Sequence, residues 1–267
     1  MSTGALIFAF NNEKIDYVKI AAWNATRIQK FLEIPVAVIT DCQDADKLKT
    51  FDKVIYADAQ AGGTRYFDDI KHTVTWHNAT RVDALSLTPW QNTLVVDADY
   101  IVNSATLKHI FKLPQDFLCY KNAYDICGKN DFAGMNNFGR HKFPMHWATV
   151  MWFKKSQVSE YIFDCMQMVR SNYSHYRNIY GFSETNYRND YALSIALSLI
   201  NGHTQKIDYI LGSMPTVLPE DSITLDGSEY KVDYMVDGKP KYIKFSHIDV
   251  HIMGKSYLEK IIENNIG

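Results

Sequence analysis

Apolar positions along the chain follow two alternating rhythms. Ala5–Phe10, Pro35–Thr40, Lys53–Ala57 and Phe117–Tyr120 are short runs, apolar or β-branched at most steps. Such runs predict strands buried on both faces. Between them the apolar residues recur at helical spacing. Ile15, Val18, Ala22, Ala25, Ile28 and Leu32 predict a helix across Glu13–Leu32, and a second is predicted over Trp76–Leu87. Leu94–Ile101 reads as one further strand. This alternation predicts an α/β fold with a mixed, mostly parallel sheet flanked by helices.

The rhythm changes after Lys121. Asn122–Pro144 is polar and rich in Gly and Asn, which predicts a long functional loop. A strand is expected over His146–Phe153 and a helix from Ser156 to about Arg170. Tyr173–Arg188 reads as an aromatic, basic loop, and Asp190–Ile200 as a helix stopped by Gly202. Tyr230–Val236 and Lys241–Phe245 flank Asp237-Gly238, a β-hairpin signal. A last helix is expected from about Ser256.

Composition narrows the function classes. The chain has 267 residues, 46% of them hydrophobic, with a net charge of −2. That balance supplies no overall field toward nucleic acid or anionic lipid. Lys121–Lys155 departs from it, with six Lys/Arg against two Asp, so the rest of the chain carries −6. This run is either a solvated loop or a phosphate-contacting surface. The four cysteines form no CxxC pair, so reduced thiols and a cytoplasmic location are expected. Ala5–Phe10 is too short for a signal sequence and Leu193–Ile200 too short to span a bilayer, so no membrane partner is expected.

The chemistry concentrates at Val96-Asp97-Ala98-Asp99. Strand residues alternate faces, so the two carboxylates are expected to point the same way. Like charges on one face call for a cation, and hard divalent ions bind such oxygens while keeping positions open for phosphate. A solvated strand end is the plain alternative. Ligands of open α/β sheets bind beyond the carboxyl ends of the strands. Phe10-Asn11-Asn12 and Asp41 are expected at the same rim, facing a nucleotide, although Asp41 is equally a turn former. Arg81 on an inward helix face needs a partner, either a rim acid or a diphosphate.

These elements in this order resemble the GT-A glycosyltransferases, most of all the glycogenin and bacterial galactosyltransferase group. The family's late His-x-x-Gly-x-Lys element corresponds to His251-Ile-Met-Gly254-Lys255, one residue tighter here. The resemblance implies a GT-A, Rossmann-like sheet with acceptor-side loops, as a single domain over 1–267. Its nucleotide-sugar half would be 1–121 and its acceptor half 122–267. It implies Mn²⁺ or Mg²⁺ on Asp97, Asp99 and His251, and a uridine diphosphate sugar contacting Phe10, Asn11, Asn12, Asp41, Arg81, Asp97, Ala98 and Lys255. It also implies retention of configuration. His146 and Trp147 occupy the place of a family strand that approaches sugar and acceptor. Asp190, at a helix start where it is also a good cap, or Glu184 would serve the cationic sugar or the acceptor.

Three other classes stay open. Asp-x-Asp after a strand also occurs in haloacid-dehalogenase-type phosphatases. Gly62-Gly63-Thr64-Arg65 suggests the phosphate loop of a sugar nucleotidyltransferase, and a non-catalytic binding module is the third. The acceptor is open too. Asn-rich, aromatic-rich chains of this size resemble phage-encoded transferases acting on hydroxymethylated bases of viral DNA. On that reading the basic run Lys121–Lys155, with Lys129, Arg140 and Lys142, together with Arg170, Arg177 and Arg188, contacts duplex phosphates, and Trp147, Tyr176 or Phe182 stacks on a flipped base. A glycan, a protein or a small molecule are the other acceptors.

Overall fold

The computed structural model of the protein describes residues 2–67, 70–77, 79–129, 136–204, 210 and 212–265. β1 (Thr3–Phe8) leads into α1 (Tyr17–Leu32), capped by Asp16, whose carboxylate accepts from the Lys19 N–H at 3.0 Å. β2 (Val36–Thr40), α2 (Ala45–Leu48) and β3 (Lys53–Tyr56) follow. A hairpin of β4 (Ala61–Phe67) and β5 (His72–His77) precedes a 3-10 turn, Ala79–Asp83, and α3 (Ala84–Leu87). β6 (Asn92–Val96) and β7 (Tyr100–Ile101) flank the acidic pair. Next come a second 3-10 segment, Thr106–Lys112, then β8 (Phe117–Tyr120), β9 (Ala123–Asp125) and the small hairpin of β10 (Asn137–Phe138) and β11 (Phe143–Pro144). β12 (Trp147–Lys154) leads to α4 (Gln157–Ser171), α5 (Tyr173–Tyr180) and α6 (Asn189–Ile200). The chain closes with β13 (Met214–Val217), β14 (Ser222–Asp226), β15 (Glu229–Val236), β16 (Lys239–Ser246), β17 (Val250–Ile252) and α7 (Lys255–Asn265).

The central sheet has six strands in the order β3-β2-β1-β6-β12-β8. β3, β2, β1 and β6 run parallel, and β12 alone is reversed against its neighbours β6 and β8. Its strands carry the fully buried Leu6, Ile7, Ile39, Leu94, Trp152 and Phe153. α1 covers one face with Val18, Ala21, Ala25, Ile28 and Leu32. Burial of this kind stabilises by about 1.5–3 kcal/mol per large aliphatic side chain. A second sheet, β7-β17-β13-β9, packs beyond the end of β6 and draws the C-terminal segment to the acidic pair.

The structure corrects three local expectations. Trp76–Leu87 is not one helix: Trp76 lies within β5, because Thr73, Val74 and Thr75 favour a pleated strand. The helix that follows is short, since Pro89 holds Thr88 extended at ψ 134. Leu94–Ile101 is not one strand: the chain turns at 97–99, with the Tyr100 N–H donating to the Asp97 carbonyl at 3.1 Å. The two strand pieces join different sheets. Tyr173–Arg188 is not all loop, because Tyr173–Tyr180 is helical and ends at Gly181 in the left-handed region, φ 65. The C-terminal hairpin stands as expected, with Asp237 at φ 50 and Gly238 at φ 72 between Val236 and Lys239. Residues 130–135 of the expected Asn122–Pro144 loop lie outside the described residues.

Candidate functional site

The ends of β1 and β6, the start of β12, the β4–β5 hairpin and the C-terminal element surround one cleft. Asp97 follows β6, and its N–H donates to the Thr149 carbonyl of β12 at 2.9 Å. Asn24, fully buried on α1, pins the next segment. Its Nδ2 donates to the Tyr100 carbonyl at 2.7 Å, and its Oδ1 accepts from the Val102 N–H at 3.1 Å. β17 then lies against β7, pairing His251 with Tyr100, and the Ile252 N–H donates to the Asp99 carbonyl at 2.9 Å. The pair therefore shares a cleft through a turn and a sheet junction rather than through strand alternation.

Two cations face the two acids. The Arg81 Nη2 forms an ion pair with Asp97 Oδ1, and its Nη1 donates to the Ala148 carbonyl at 3.2 Å. The Lys255 Nζ donates to Asp99 Oδ2 and, at 3.1 Å each, to the carbonyls of Ile252 and Met253. His251 Nε2 lies 3.6 Å from Asp99 Oδ2, and its buried Nδ1 has no hydrogen-bond partner. Burial pushes the Asp97 carboxyl up; Arg81 opposes this, the Asp99 charge adds to it, and burial prevails. Burial acts on Asp99 in the same sense, but Lys255 and His251 outweigh it and hold that carboxyl well below the usual range. Two acids one residue apart thus have opposite electrostatic surroundings.

Of the residues expected from sequence, Phe10, Arg81, Asp97, Ala98, Asp99, Trp147, Arg188, Asp190, His251 and Lys255 line the cleft. Asp190 does not cap its own helix. Its Oδ1 accepts the Ala148 N–H at 2.9 Å, and its Oδ2 meets Arg188 Nη2 at 3.3 Å. Asn11 and Asn12 do not line the cleft, because their side-chain oxygens are committed to the entry of α1. Asn11 accepts from Val18, and Asn12 from Lys14 and Ile15. Asp41 is exposed beyond β2 and outside the cleft lining. Glu184 lines a second, adjoining pocket, with its Oε1 accepting from the Tyr191 hydroxyl at 2.8 Å.

The expected basic surface is dispersed. Lys129 Nζ sits 2.5 Å from Asp221 and 3.4 Å from Glu220. Arg140 and Lys142 are exposed at the tip between β10 and β11. Tyr176 is half-buried on α5, away from the cleft lining. His146 is buried and outside the lining, and burial pushes its imidazole down to about 4, so it stays neutral near neutral pH. Among the described residues, the group of three potential ligands whose donor atoms all lie within 4.8 Å is Asp125, Cys127 and Asp221. Lys129 already provides that group with a cation, and the Asp125 carboxylate accepts the N–H groups of Cys127 and Lys129.

Sequence reasoning missed Phe8, Tyr17, Trp76, His77, Thr80, Thr149, Asn189 and Met253 in the lining, and met Arg65 only as the end of a candidate phosphate loop. Arg65 and Trp76 arrive on the β4–β5 hairpin, which the helix reading of Trp76–Leu87 concealed. The glycines beside Arg65 also have another role than the phosphate loop considered from sequence. Gly63 sits at φ +129, and a Cβ there would lie 2.3 Å from Asn186 Oδ1, so glycine lets the strand dock against that loop.

The sequence matches no protein-family model and no curated protein. The fold does have solved counterparts. An active-site mutant of LgtC superposes with a TM-score of 0.51 at 11% identity, over 77% of this chain and 72% of that one. The galactosyltransferase LgtC in complex with donor and acceptor sugar analogs gives a TM-score of 0.49 at 11% identity, over 73% and 70%. Mouse xyloside xylosyltransferase 1 in its apo form gives 0.44 at 10% identity, over 79% and 85%. The mixed, mainly parallel sheet flanked by helices is the GT-A fold. Identity this low speaks for fold alone.

Proposed function

We infer that the protein transfers a sugar from a nucleoside diphosphate sugar, a uridine diphosphate sugar by resemblance, to an acceptor hydroxyl. The observation that carries this reading is the convergence of Asp97, Asp99, His251, Arg81 and Lys255 in one cleft at the strand ends. The donor types, two carboxylates and an imidazole, suit a divalent ion of the Mn²⁺ or Mg²⁺ class, although their donor atoms do not all lie within 4.8 Å of one another. When bound to Asp97, Asp99 and His251, such an ion supplies Lewis-acid stabilisation of the departing diphosphate.

The chain's own groups do the rest. Arg81 and Lys255 offer cationic donors where charge develops on the leaving group. The aromatic wall of Phe8, Phe10 and Tyr17 suits a base or ribose face. Asp190 is held rigidly by the Ala148 N–H and by Arg188. It is the carboxylate placed to stabilise positive charge on the sugar or to orient the acceptor. The nucleotidyltransferase reading has less support, because Gly63 packs against Asn186.

The experiment is calorimetry with UDP and Mn²⁺ together with an assay of nucleotide-sugar turnover. Asp99→Asn should abolish metal-dependent turnover while the circular dichroism spectrum is unchanged. Full turnover in that variant, or in excess chelator, sinks the reading. For a DNA acceptor, the exposed Arg140 and Lys142 remain as phosphate contacts, and duplex binding that falls steeply with salt is the expected sign.

A further inference from the structure

Arg65 and Arg188 stand on the partition between the cleft and the second pocket, and both line the two cavities together with Trp76. They come from distant parts of the chain, Arg65 from β4 and Arg188 from the residue before α6. Each guanidinium lies against an aromatic face. Arg65 is 5.1 Å over Trp76, and Arg188 is 4.8 Å over Tyr191. Stacking of this kind fixes the plane of the donor fork. The two supports are fastened to each other: the Tyr187 N–H donates to the Gly62 carbonyl at 2.9 Å, and Asn186 Nδ2 donates to the Thr64 carbonyl.

The two guanidinium groups stand among acids as well as beside each other. Burial, and after it the like charge of Arg188, lower the Arg65 pKa against Tyr17, Asp99 and Asp190, whereas at Arg188 the nearby Asp190, Tyr191 and Glu184 outweigh burial and raise it. Asp190 takes one arm of Arg188 at 3.3 Å. The carboxylate of the second pocket, Glu184, is engaged by the Tyr191 hydroxyl at 2.8 Å and the Ser183 hydroxyl at 3.4 Å. Arg81 and Lys255, which face the acidic pair, do not line this pocket. Two guanidinium forks, each set against an aromatic face, match the lone-pair geometry of a carboxylate or phosphate. An oxyanion accepts charge-assisted hydrogen bonds from such forks, roughly twice as strong as those a neutral hydroxyl makes.

We propose that the second pocket is the acceptor subsite, and that Arg65 and Arg188 select an acceptor carrying an oxyanion, as in a sugar acid or a sugar phosphate. The assignment rests on the donor reading of the main cleft. Trp76 then offers its ring beside the anion site for the apolar face of the acceptor ring.

The test uses the whole protein with saturating UDP and Mn²⁺, titrated calorimetrically with glucose, glucuronate and glucose 6-phosphate. At least one anion should bind about tenfold or more tightly than glucose, the scale of a charged hydrogen bond. Preference for glucuronate identifies a carboxylate, and preference for glucose 6-phosphate a phosphate. Arg65→Gln and Arg188→Gln should erase that preference while UDP affinity stays within about threefold, a small fraction of a charged contact. Arg65→Lys, which keeps the charge without the fork, should retain part of the preference and guards against a folding defect. Anions binding no better than glucose overturn the proposal, as does loss of UDP affinity in Arg65→Gln equal to the loss for the anion. Failure of UDP to bind the wild type overturns the donor reading and this assignment together, whereas bound UDP without anion preference overturns this assignment alone.

Discussion

Asp249 shows how a single buried carboxyl sets a pH dependence in this protein. It accepts the Asn103 N–H at 2.7 Å, yet burial outweighs this bond and pushes its pKa up to about 6. Folding therefore takes up a proton between the unfolded value of roughly 4 and the folded one. The stability it contributes is fully present below the unfolded value and is lost as pH rises through the folded value. Asp249→Asn removes this titration. Urea denaturation at about pH 4 and about pH 7 should show the wild type losing up to about 3 kcal/mol more than the variant, at roughly 1.4 kcal/mol per unit. Equal losses would mean that Asp249 ionises in the folded protein as freely as in the unfolded one. Residues whose chemistry announces itself were legible in sequence: Asp97, Asp99, His251 and Lys255 all line the cleft. Asn11, Asn12 and Lys129 had the right chemistry but were already committed to local bonds, and residue type does not reveal such commitments.

At the scale of elements, the β4–β5 hairpin is the part of the site most dependent on backbone fit. Gly63 lies at φ +129, with the Asn186 side chain where a Cβ would stand, while Gly227 has φ +59 and open space. Gly63→Ala should destabilise the fold by about 1–3 kcal/mol from backbone strain alone and should also loosen Arg65 from its seat. Gly227→Ala serves as the control for left-handed backbone without a clash. Comparable urea midpoints for the two variants would show that the hairpin docks without needing glycine. Long periodic elements were readable because they repeat their own signal: α1, β12 and α6 fall within a few residues of expectation. The second sheet was not, since β7, β13 and β17 are strands of two to four residues. Strands that short hold their shape only through partners distant in sequence. The helix in Tyr173–Tyr180 was hidden by its polarity; its buried stripe is mostly tyrosine.

For the whole molecule, the order of elements carried the α/β architecture, and the comparison with solved structures agrees with it. No helix among the described residues is long and apolar enough to cross a membrane. The two sheets meet at the acidic pair, so both ends of the chain contribute to one cleft, and Lys255 enters it already resting on Asp99. A divalent ion approaching that carboxylate meets an ammonium in place, while a nucleoside diphosphate offers the same ammonium a second partner. Each ligand therefore removes an obstacle to the other, and thermodynamic reciprocity requires the same factor in both directions. Mn²⁺ should bind about tenfold or more tightly once UDP is present, and UDP should gain equally from Mn²⁺. In Lys255→Met, Mn²⁺ alone should bind more tightly than in the wild type, and the mutual gain should shrink. An unchanged Mn²⁺ affinity in that variant would remove the ammonium from this role. With the expected result the cleft fills in synergy, each ligand raising the affinity for the other by the same factor.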